Sequence, residues 1–293
     1  MGDTHETPTE RRPGIAIVRP KLHEDTQANR DLFKRWTKLH MRDTLSLPKD
    51  KDLGGASRVS RYTRVSADGG EDYFYTIVLD DVRLPRTKTF QEIPQRLDLE
   101  NTRVLGEGEE AVLLPGDPRI GTEPMVFSIV APVVGIFEAV VDTDTIQAVH
   151  KSHQDLPAEV ASETNAPNYT LVTLTISHTT PYPTPFQHVQ RLRSSLANLL
   201  GIVTNQLVYA TVYRHAADAE PEVFSKIAQG QDGNGDWVVC VLVGGDADRQ
   251  LVDAGYEGVE GQIEEWRKRL EIEGSLQNLD IKIGVWKGDV LMC

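Results

Sequence analysis

Cysteine is scarce in this chain, with only Cys240 inside an apolar segment and Cys293 at the end among 293 residues. Two such residues form no disulfide framework, and no close cysteine or histidine spacing typical of a zinc site supports a metal centre. His150 and His153 are three residues apart, but they fall in a polar stretch typical of a linker. The sequence therefore predicts a reducing, cytoplasmic location and no metal. A glycine-rich dinucleotide loop is also absent, so we expect no cofactor.

Long apolar runs and concentrated positive charge are missing as well. No stretch reaches the roughly 18 apolar residues that a membrane-spanning helix needs, and the first 13 residues lack the apolar region of a secretory signal. The net charge is −13, whereas a nucleic-acid partner requires a basic surface. We therefore expect neither a membrane nor a nucleic-acid partner.

The composition that remains is typical of a folded protein, with 39% hydrophobic and 26% charged residues. Residues 1–13 are charged and contain proline, which predicts a disordered amino terminus. Residues 146–168 belong to a polar stretch and are predicted to form a linker. The linker divides the chain into residues 14–145 and residues 169–293, each of ordinary domain size.

The first half contains alternating strand and helix patterns in a definite order. Apolar periodicity predicts a strand at 14–18, a helix from 32 to about 47, strands at 56–65 and 72–79, a short helix at 87–97 and a β region at 125–141. This is the β-α-β-β-α-β order of a ferredoxin-like unit.

The second half repeats that order. Strands are predicted at 169–176, 205–213, 237–243 and 279–286, with helices at 186–200 and 261–272. The predicted fold class is therefore α+β, with two ferredoxin-like repeats. We expect their four-stranded sheets to pack face to face, leaving a barrel-like cavity between sheet and helices.

The helix of the first half carries a histidine on its apolar face. Phe33 and Trp36 lie at helical spacing, and His40 follows Trp36 by four residues on the same side. The strand that follows alternates two sets of residues: Arg58, Ser60, Tyr62 and Arg64 on one face, and Ser57, Val59, Arg61 and Thr63 on the other. Tyr73 and Tyr75 share one face of the next strand. A site is predicted where this helix covers this sheet.

This segment resembles a known family. The aromatic helix from Phe33 through Trp36 to His40, followed by Arg61-Tyr62 and an aromatic strand, resembles the EthD-like branch of the dimeric α/β-barrel superfamily. It is especially similar to fungal tandem members, which carry two repeats in one chain. The resemblance implies two repeats packed as an intrachain dimeric α/β barrel. It also implies small-molecule enzymes, often cofactor-free: polyketide cyclases, lactone isomerases, decarboxylases and quinone-forming monooxygenases.

The second half departs from that pattern. Ser195 or Leu196 stands in place of the histidine, depending on the alignment, and Tyr213-Arg214 has the Arg-Tyr order reversed. Haem peroxidases of the dye-decolorising type share the tandem architecture, but their Gly-x-x-Asp-Gly motif has no counterpart here. The resemblance thus implies one active half and one structural half.

Each candidate residue has a chemical role and a structural alternative. His40 is the candidate acid–base group, and arginine and tyrosine groups are candidates to hold an enolate oxygen. The alternatives are a core histidine, an arginine paired with a carboxylate such as Asp43, and aromatic core packing. The candidate catalytic residues are His40, Arg61 and Tyr62. The candidate substrate-binding residues are Phe33, Trp36, Arg58, Tyr73 and Tyr75.

The function predicted from these residues and the resemblance is cofactor-free acid–base chemistry on a hydrophobic, oxygenated, polyketide-like small molecule. A decarboxylase, cyclase or dehydratase of natural-product biosynthesis fits this description. The alternatives are a cofactor-independent or haem-dependent monooxygenase, and a non-catalytic small-molecule carrier. The only expected partner is the small molecule, and the pseudo-dimer is expected to be a monomer or a homodimer.

Overall fold

The computed structural model describes residues 10–65, 73–93, 125–140, 170–179, 184–204, 208–222, 235–243 and 256–292. The strands are β1 (Gly14–Leu22), β2 (Ala56–Arg64), β3 (Tyr73–Leu79), β4 (Val130–Ala139), β5 (Thr170–His178), β6 (Val208–His215), β7 (Trp237–Val243) and β8 (Leu279–Met292). The helices are α1 (Gln27–Leu45), α2 (Lys88–Gln91), α3 (Phe186–Thr204) and α4 (Tyr256–Ile272). Short 3-10 turns are Leu84–Arg86, Met125–Ser128 and Ala217–Ala219.

The α+β class and the predicted order of the elements are confirmed within the described residues. Helix α1 ends at Leu45, two residues before the predicted end, and Thr26 caps its start by accepting a hydrogen bond from the Asn29 backbone N–H at 3.2 Å. The helix predicted at 87–97 is shorter in the described part, where α2 ends at Gln91. The predicted linker at 146–168 lies outside the described residues.

The eight strands form a closed antiparallel barrel in the order β1-β3-β2-β8-β5-β7-β6-β4. Within it, β4-β1-β3-β2 and β8-β5-β7-β6 are two four-stranded sheets with the ferredoxin-like order. Two seams join them, β2 with β8 and β4 with β6. The expected face-to-face packing of separate sheets is therefore corrected: the sheets are joined at both edges, because each pairing satisfies backbone groups that an open edge leaves unpaired.

Residues 10–13 differ from the predicted disordered amino terminus. The Arg12 guanidinium donates to Glu138 of β4 at 2.8 Å and to Asp218, just after β6, at 2.6 Å. Its backbone N–H donates to Asp81 at 3.2 Å. Arg12 thereby bridges the β4–β6 seam from the start of β1, and its hydrogen bonds, together with its charge, lower the pKa of both Glu138 and Asp218.

The buried side chains form three layers. One lies between α1 and the first sheet and contains Phe33, Trp36, Tyr73, Tyr75 and Ile77. A second lies between the second sheet and α3 and α4, with Leu192, Leu196, Val239, Val241 and Trp266. The third fills the barrel interior, with Ile17, Tyr62, Phe74, Phe137, Tyr213, Val238 and Trp286. Every strand therefore has one face toward helices and one face toward the interior, so both faces require apolar residues.

Gly14 lies where β1 meets both neighbouring strands. A Cβ at this position would stand 2.1 Å from the Phe137 backbone oxygen and 2.5 Å from Val82 Cγ1. The backbone oxygen belongs to the β1–β4 ladder, so it cannot move aside without breaking that pairing. Glycine at this position therefore follows from the close approach of the strands.

We expect Gly14→Ala to lower the free energy of unfolding by about 1–3 kcal/mol, the usual cost of overpacking. The matched control is Gly261→Ala, on the exposed side of α4, where a Cβ would meet nothing within 4 Å. That change is expected to stabilise the protein by about 0.5–1 kcal/mol, because alanine is the better helix former. Urea denaturation of both variants measures the difference, and equal stabilities would contradict the strand contact.

Candidate functional site

The layer between α1 and the first sheet brings the predicted aromatic residues together. The Trp36 and His40 rings stack with centroids 4.6 Å apart and an angle of 16°. The Phe33 ring lies 5.0 Å from Tyr73 and 6.0 Å from Tyr75. The prediction that Trp36 and His40 share one helix face therefore holds, with Trp36 buried and His40 half-buried.

Arg61 is a buried cation at the centre of this layer. Its side chain is on the α1 side of β2, and the residue is only 4% exposed. Nη1 donates to the Lys34 carbonyl oxygen at 2.9 Å and to Thr37 Oγ1 at 2.6 Å. The Thr37 hydroxyl in turn donates to the Phe33 carbonyl oxygen at 2.8 Å. The helix backbone and one threonine thus hold the guanidinium in place.

Thr37 is a site residue that sequence reasoning missed. It lies between Trp36 and Lys38 on α1 and is buried, although the side chain of a threonine within a helix often points to solvent. The only sequence signal was a small polar residue beside the apolar stripe. Asp43, the carboxylate that the sequence offers as a partner for Arg61, is fully buried on the same helix.

The Tyr75 hydroxyl and the Trp36 indole N–H are buried in this layer. The Tyr75 hydroxyl lies near Thr37 and Arg61 but forms no hydrogen bond of normal geometry with them, and the Trp36 indole N–H is also unpaired. Burial raises the pKa of Tyr75 well above its ordinary value, so the phenol stays protonated and able to donate. Unpaired buried donors cost about 1–3 kcal/mol each. A ligand oxygen would satisfy them.

Tyr62 and Arg58 lie on the other face of β2. Tyr62 packs in the barrel interior against Phe74, with ring centroids 6.4 Å apart. Arg58 pairs with Val78, whose side chain also contacts the interior layer. The structure therefore brings His40, Arg61, Trp36, Phe33, Tyr73 and Tyr75 into one layer, and it does not bring Tyr62 and Arg58 there, because successive strand residues point in opposite directions.

The equivalent layer of the second half is apolar. Tyr213 is directly opposite Val238 inside the barrel, as Tyr62 is opposite Phe74. On the helix-facing side, Val212 thus corresponds to Arg61, and Val239 corresponds to Tyr75. Both valines are buried in the layer beneath α3 and α4. The polar groups of the first layer therefore have no counterpart at these two positions.

Ser195 and three further histidines of the described residues have structural partners. The Ser195 hydroxyl accepts a hydrogen bond from the Trp266 indole N–H at 2.8 Å. His178 pairs with Asp236, His188 with the Ser275 carbonyl oxygen, and His215 with Glu220. Within the described parts of the chain, no group of three or more potential ligand residues is placed to hold a metal ion. No described helix has the length and apolarity needed to cross a membrane.

The chain was compared with known proteins. No protein-family model matches it, and no curated protein matches it. Among solved structures, a candidate chlorite dismutase, TA0507, is 12% identical, with 96% of each chain covered and a TM-score of 0.48. A candidate monooxygenase from Fusobacterium nucleatum is 5% identical, with 97% of this chain and 95% of that chain covered and a TM-score of 0.44.

A mutant chlorite dismutase from Candidatus Nitrospira defluvii is 10% identical, with 98% of this chain and 96% of that chain covered and a TM-score of 0.43. These similarities extend over nearly the whole chain but are remote in both sequence and geometry. The description of the fold and of the layer beneath α1 therefore rests on the contacts of this chain alone.

We expect Tyr75→Phe to leave the free energy of unfolding unchanged or to raise it by up to about 1 kcal/mol, because it removes a hydroxyl that has no partner. Thr37→Val removes a hydroxyl that accepts from Arg61, so it should cost about 1–3 kcal/mol. Chemical denaturation compares the two. An equal loss in Tyr75→Phe would show that its hydroxyl is hydrogen-bonded in the folded protein.

Burial raises the pKa of Tyr62 from 10 to about 12. The folded state therefore favours the neutral phenol, and this stabilisation is complete below about pH 10 and is lost as the pH rises through 12. We expect Tyr62→Phe to flatten the decrease in the free energy of unfolding across this range, measured by urea denaturation with about pH 8 as the reference. An equally steep decrease in the variant would show that Tyr62 does not contribute to it.

Proposed function

We propose that this chain is a cofactor-free acid–base enzyme acting on a hydrophobic, oxygenated, polyketide-like small molecule, with its site in the layer beneath α1. The observation that carries the proposal is the buried Arg61, fixed by Thr37 and Lys34, beside the unpaired Tyr75 hydroxyl. A fixed cation and a neutral donor in an apolar layer suit a reaction that develops negative charge on oxygen. Decarboxylation, cyclisation and dehydration through an enolate all have this requirement.

His40 is the proposed proton-transfer group. It lies one helical turn after Thr37, the residue that binds Arg61, and it stacks on Trp36 while remaining half-buried. Removal of a proton from the carbon next to a carbonyl leaves an enolate, whose oxygen accepts hydrogen bonds from Arg61 and Tyr75. Tyr75 takes the role expected of Tyr62, because Tyr62 faces the barrel interior. Phe33 and Tyr73 supply apolar walls.

We also propose that the two halves are repeats of one ferredoxin-like unit, as in EthD-like tandem dimeric α/β-barrel proteins. The strand orders match, and β3 and β7 have the same pattern of burial. Gly135 is directly opposite Ile17, and Gly284 is directly opposite Thr173, the position equivalent to Ile17. In this interpretation the second repeat has lost its polar site and serves as a structural partner.

The remaining expectations are part of the same proposal. Because the second sheet completes the barrel within one chain, a monomer is sufficient, and a homodimer is compatible with it. A reducing, cytoplasmic location fits the free Cys240. The only proposed partner is the small-molecule substrate.

The proposal is tested by proton exchange, which all three reactions share. Purified protein is incubated in D₂O with a panel of aromatic β-keto acids and enolisable ketones, and mass spectrometry detects deuterium next to the carbonyl or loss of CO₂. We expect His40→Gln to lower the rate about 10²- to 10⁴-fold while binding persists, because glutamine retains polarity but cannot act as the acid–base group. His188→Gln, the same change on α3, should leave the rate unchanged.

Other outcomes point to the alternatives. Binding without exchange or turnover in the unaltered protein would support a carrier, for which the largely apolar layer also suffices. A Soret absorption band in the purified protein would contradict the cofactor-free assignment and favour a haem-dependent monooxygenase. Full activity of His40→Gln would show that His40 is a packing residue.

A further inference from the structure

The two seams that close the barrel differ in length. Among the described residues, β2 and β8 are paired at six positions, between Val59 and Arg64. In contrast, β4 and β6 are paired at only three: Phe137 with His215, Glu138 with Arg214, and Ala139 with Tyr213. Fewer backbone contacts therefore hold β4 to β6 than hold β2 to β8.

The sheets on either side do not depend on the β4–β6 seam. β4 is paired with β1 at nine positions, and β6 is paired with β7 at seven. Two backbone hydrogen bonds flank the seam: the Val140 N–H donates to the Val212 carbonyl oxygen at 3.0 Å, and the Ala216 N–H donates to the Ile136 carbonyl oxygen at 2.8 Å. Separation of β4 from β6 breaks these contacts and leaves the pairing within each sheet intact.

Charged side chains also cross this seam. The Arg12 guanidinium donates to Glu138 of β4 at 2.8 Å and to Asp218, which follows β6, at 2.6 Å. Glu138 also accepts from Arg214, which is directly opposite on β6, at 3.4 Å. Arg12 thus stands between two carboxylates that belong to opposite sides of the seam. Without its charge, two negative groups would lie near each other there and repel.

The backbone of residues 10–13 fixes Arg12 to the first sheet. The Arg12 carbonyl oxygen accepts from the Val82 N–H at 2.8 Å, and the Pro13 carbonyl oxygen accepts from the Ala139 N–H at 2.9 Å. Because these bonds use the backbone, they do not require the Arg12 side chain. The guanidinium carries the attachment across to the second sheet.

One further carboxylate crosses the seam without Arg12. Glu220 Oε1 accepts from the Ile136 N–H at 3.3 Å and lies 2.7 Å from His215 Nε2. The Phe137 and His215 rings are also in contact, with centroids 5.3 Å apart. Loss of the Arg12 charge therefore weakens the seam without removing every contact across it.

We propose that the β4–β6 seam is the place at which the closed barrel opens, and that the Arg12 side chain is the latch that controls this opening. Opening exposes Phe137 and Tyr213, which belong both to the seam and to the interior layer. It is a local change of the folded protein, distinct from unfolding. The latch includes none of the candidate site residues, so it does not depend on the acid–base function.

The test is amide hydrogen exchange of the full chain at one pH, followed by NMR. The Val140 and Ala216 amides report on the β4–β6 seam, and the Val65 amide, which donates to the Val285 carbonyl oxygen at 3.1 Å, reports on the β2–β8 seam. We expect the protection factors of Val140 and Ala216 to be at least about tenfold lower than that of Val65. Equal protection at the two seams would overturn the proposal.

Arg12→Gln removes the charge of the latch and keeps a polar side chain. Exchange at Val140 and Ala216 should accelerate about five- to thirty-fold, because one cation loses two carboxylate partners, while Val65 changes less than about twofold. The matched control is Arg267→Gln, which breaks the pairs with Glu264 and Glu271 on α4 and should change neither seam. Unchanged exchange in Arg12→Gln, or equal acceleration at Val65, would contradict the latch.

A double variant separates the charge of Arg12 from its size. Arg12→Gln combined with Asp218→Asn removes one of the two repelling carboxylates, so seam exchange should be at least about threefold slower than in Arg12→Gln alone. Raising the salt concentration from about 0.05 to 0.5 M should accelerate seam exchange in the unaltered protein, because salt screens the half-buried pair of Arg12 and Glu138, but not in Arg12→Gln. No slowing in the double variant, or the same salt response in both proteins, would overturn the role of the charge.

Discussion

Closure of the barrel is the constraint on which the rest of the structure depends. Each four-stranded sheet has two edges, and pairing of β2 with β8 and of β4 with β6 satisfies all four. Once the sheets are closed, every strand has an inner and an outer face, and a residue of β2 can serve only one of them. Closure therefore separates Arg61, held by α1, from Arg58 and Tyr62, directed into the interior.

The separation shows what sequence periodicity can and cannot predict. Alternation along β2 predicted two opposite sets of side chains, and helical spacing predicted that Trp36 and His40 share a face, because both patterns are local properties of the backbone. Alternation does not show which set the helix covers. The partnership of Arg61 with Thr37, residues 24 positions apart, exists only after α1 packs on the sheet. Tyr62 was therefore assigned to the wrong layer for contact with His40, although its face on the strand was predicted correctly.

The two helix-covered layers illustrate different uses of one architecture. Beneath α3 and α4, valine and leucine fill the space with no polar group at the positions of Arg61 and Tyr75, which favours stability. Beneath α1, the Arg61 guanidinium and the Tyr75 hydroxyl occupy the same positions, and the Tyr75 hydroxyl lowers stability unless a ligand accepts its hydrogen bond. The apolar layer beneath α3 and α4 offsets part of this loss of stability, because both layers belong to the same closed barrel.

The position of β8 has a consequence for synthesis of the chain. This last strand pairs with β5 of its own half and with β2 of the first half, near residue 60. A ribosome must therefore release the chain as far as β8 before β2 acquires its second neighbour. Until then the nascent first half presents an open strand edge, which is a site for wrong pairing with other chains. Protection of this edge during translation is therefore a requirement that the strand order places on the folding of the chain.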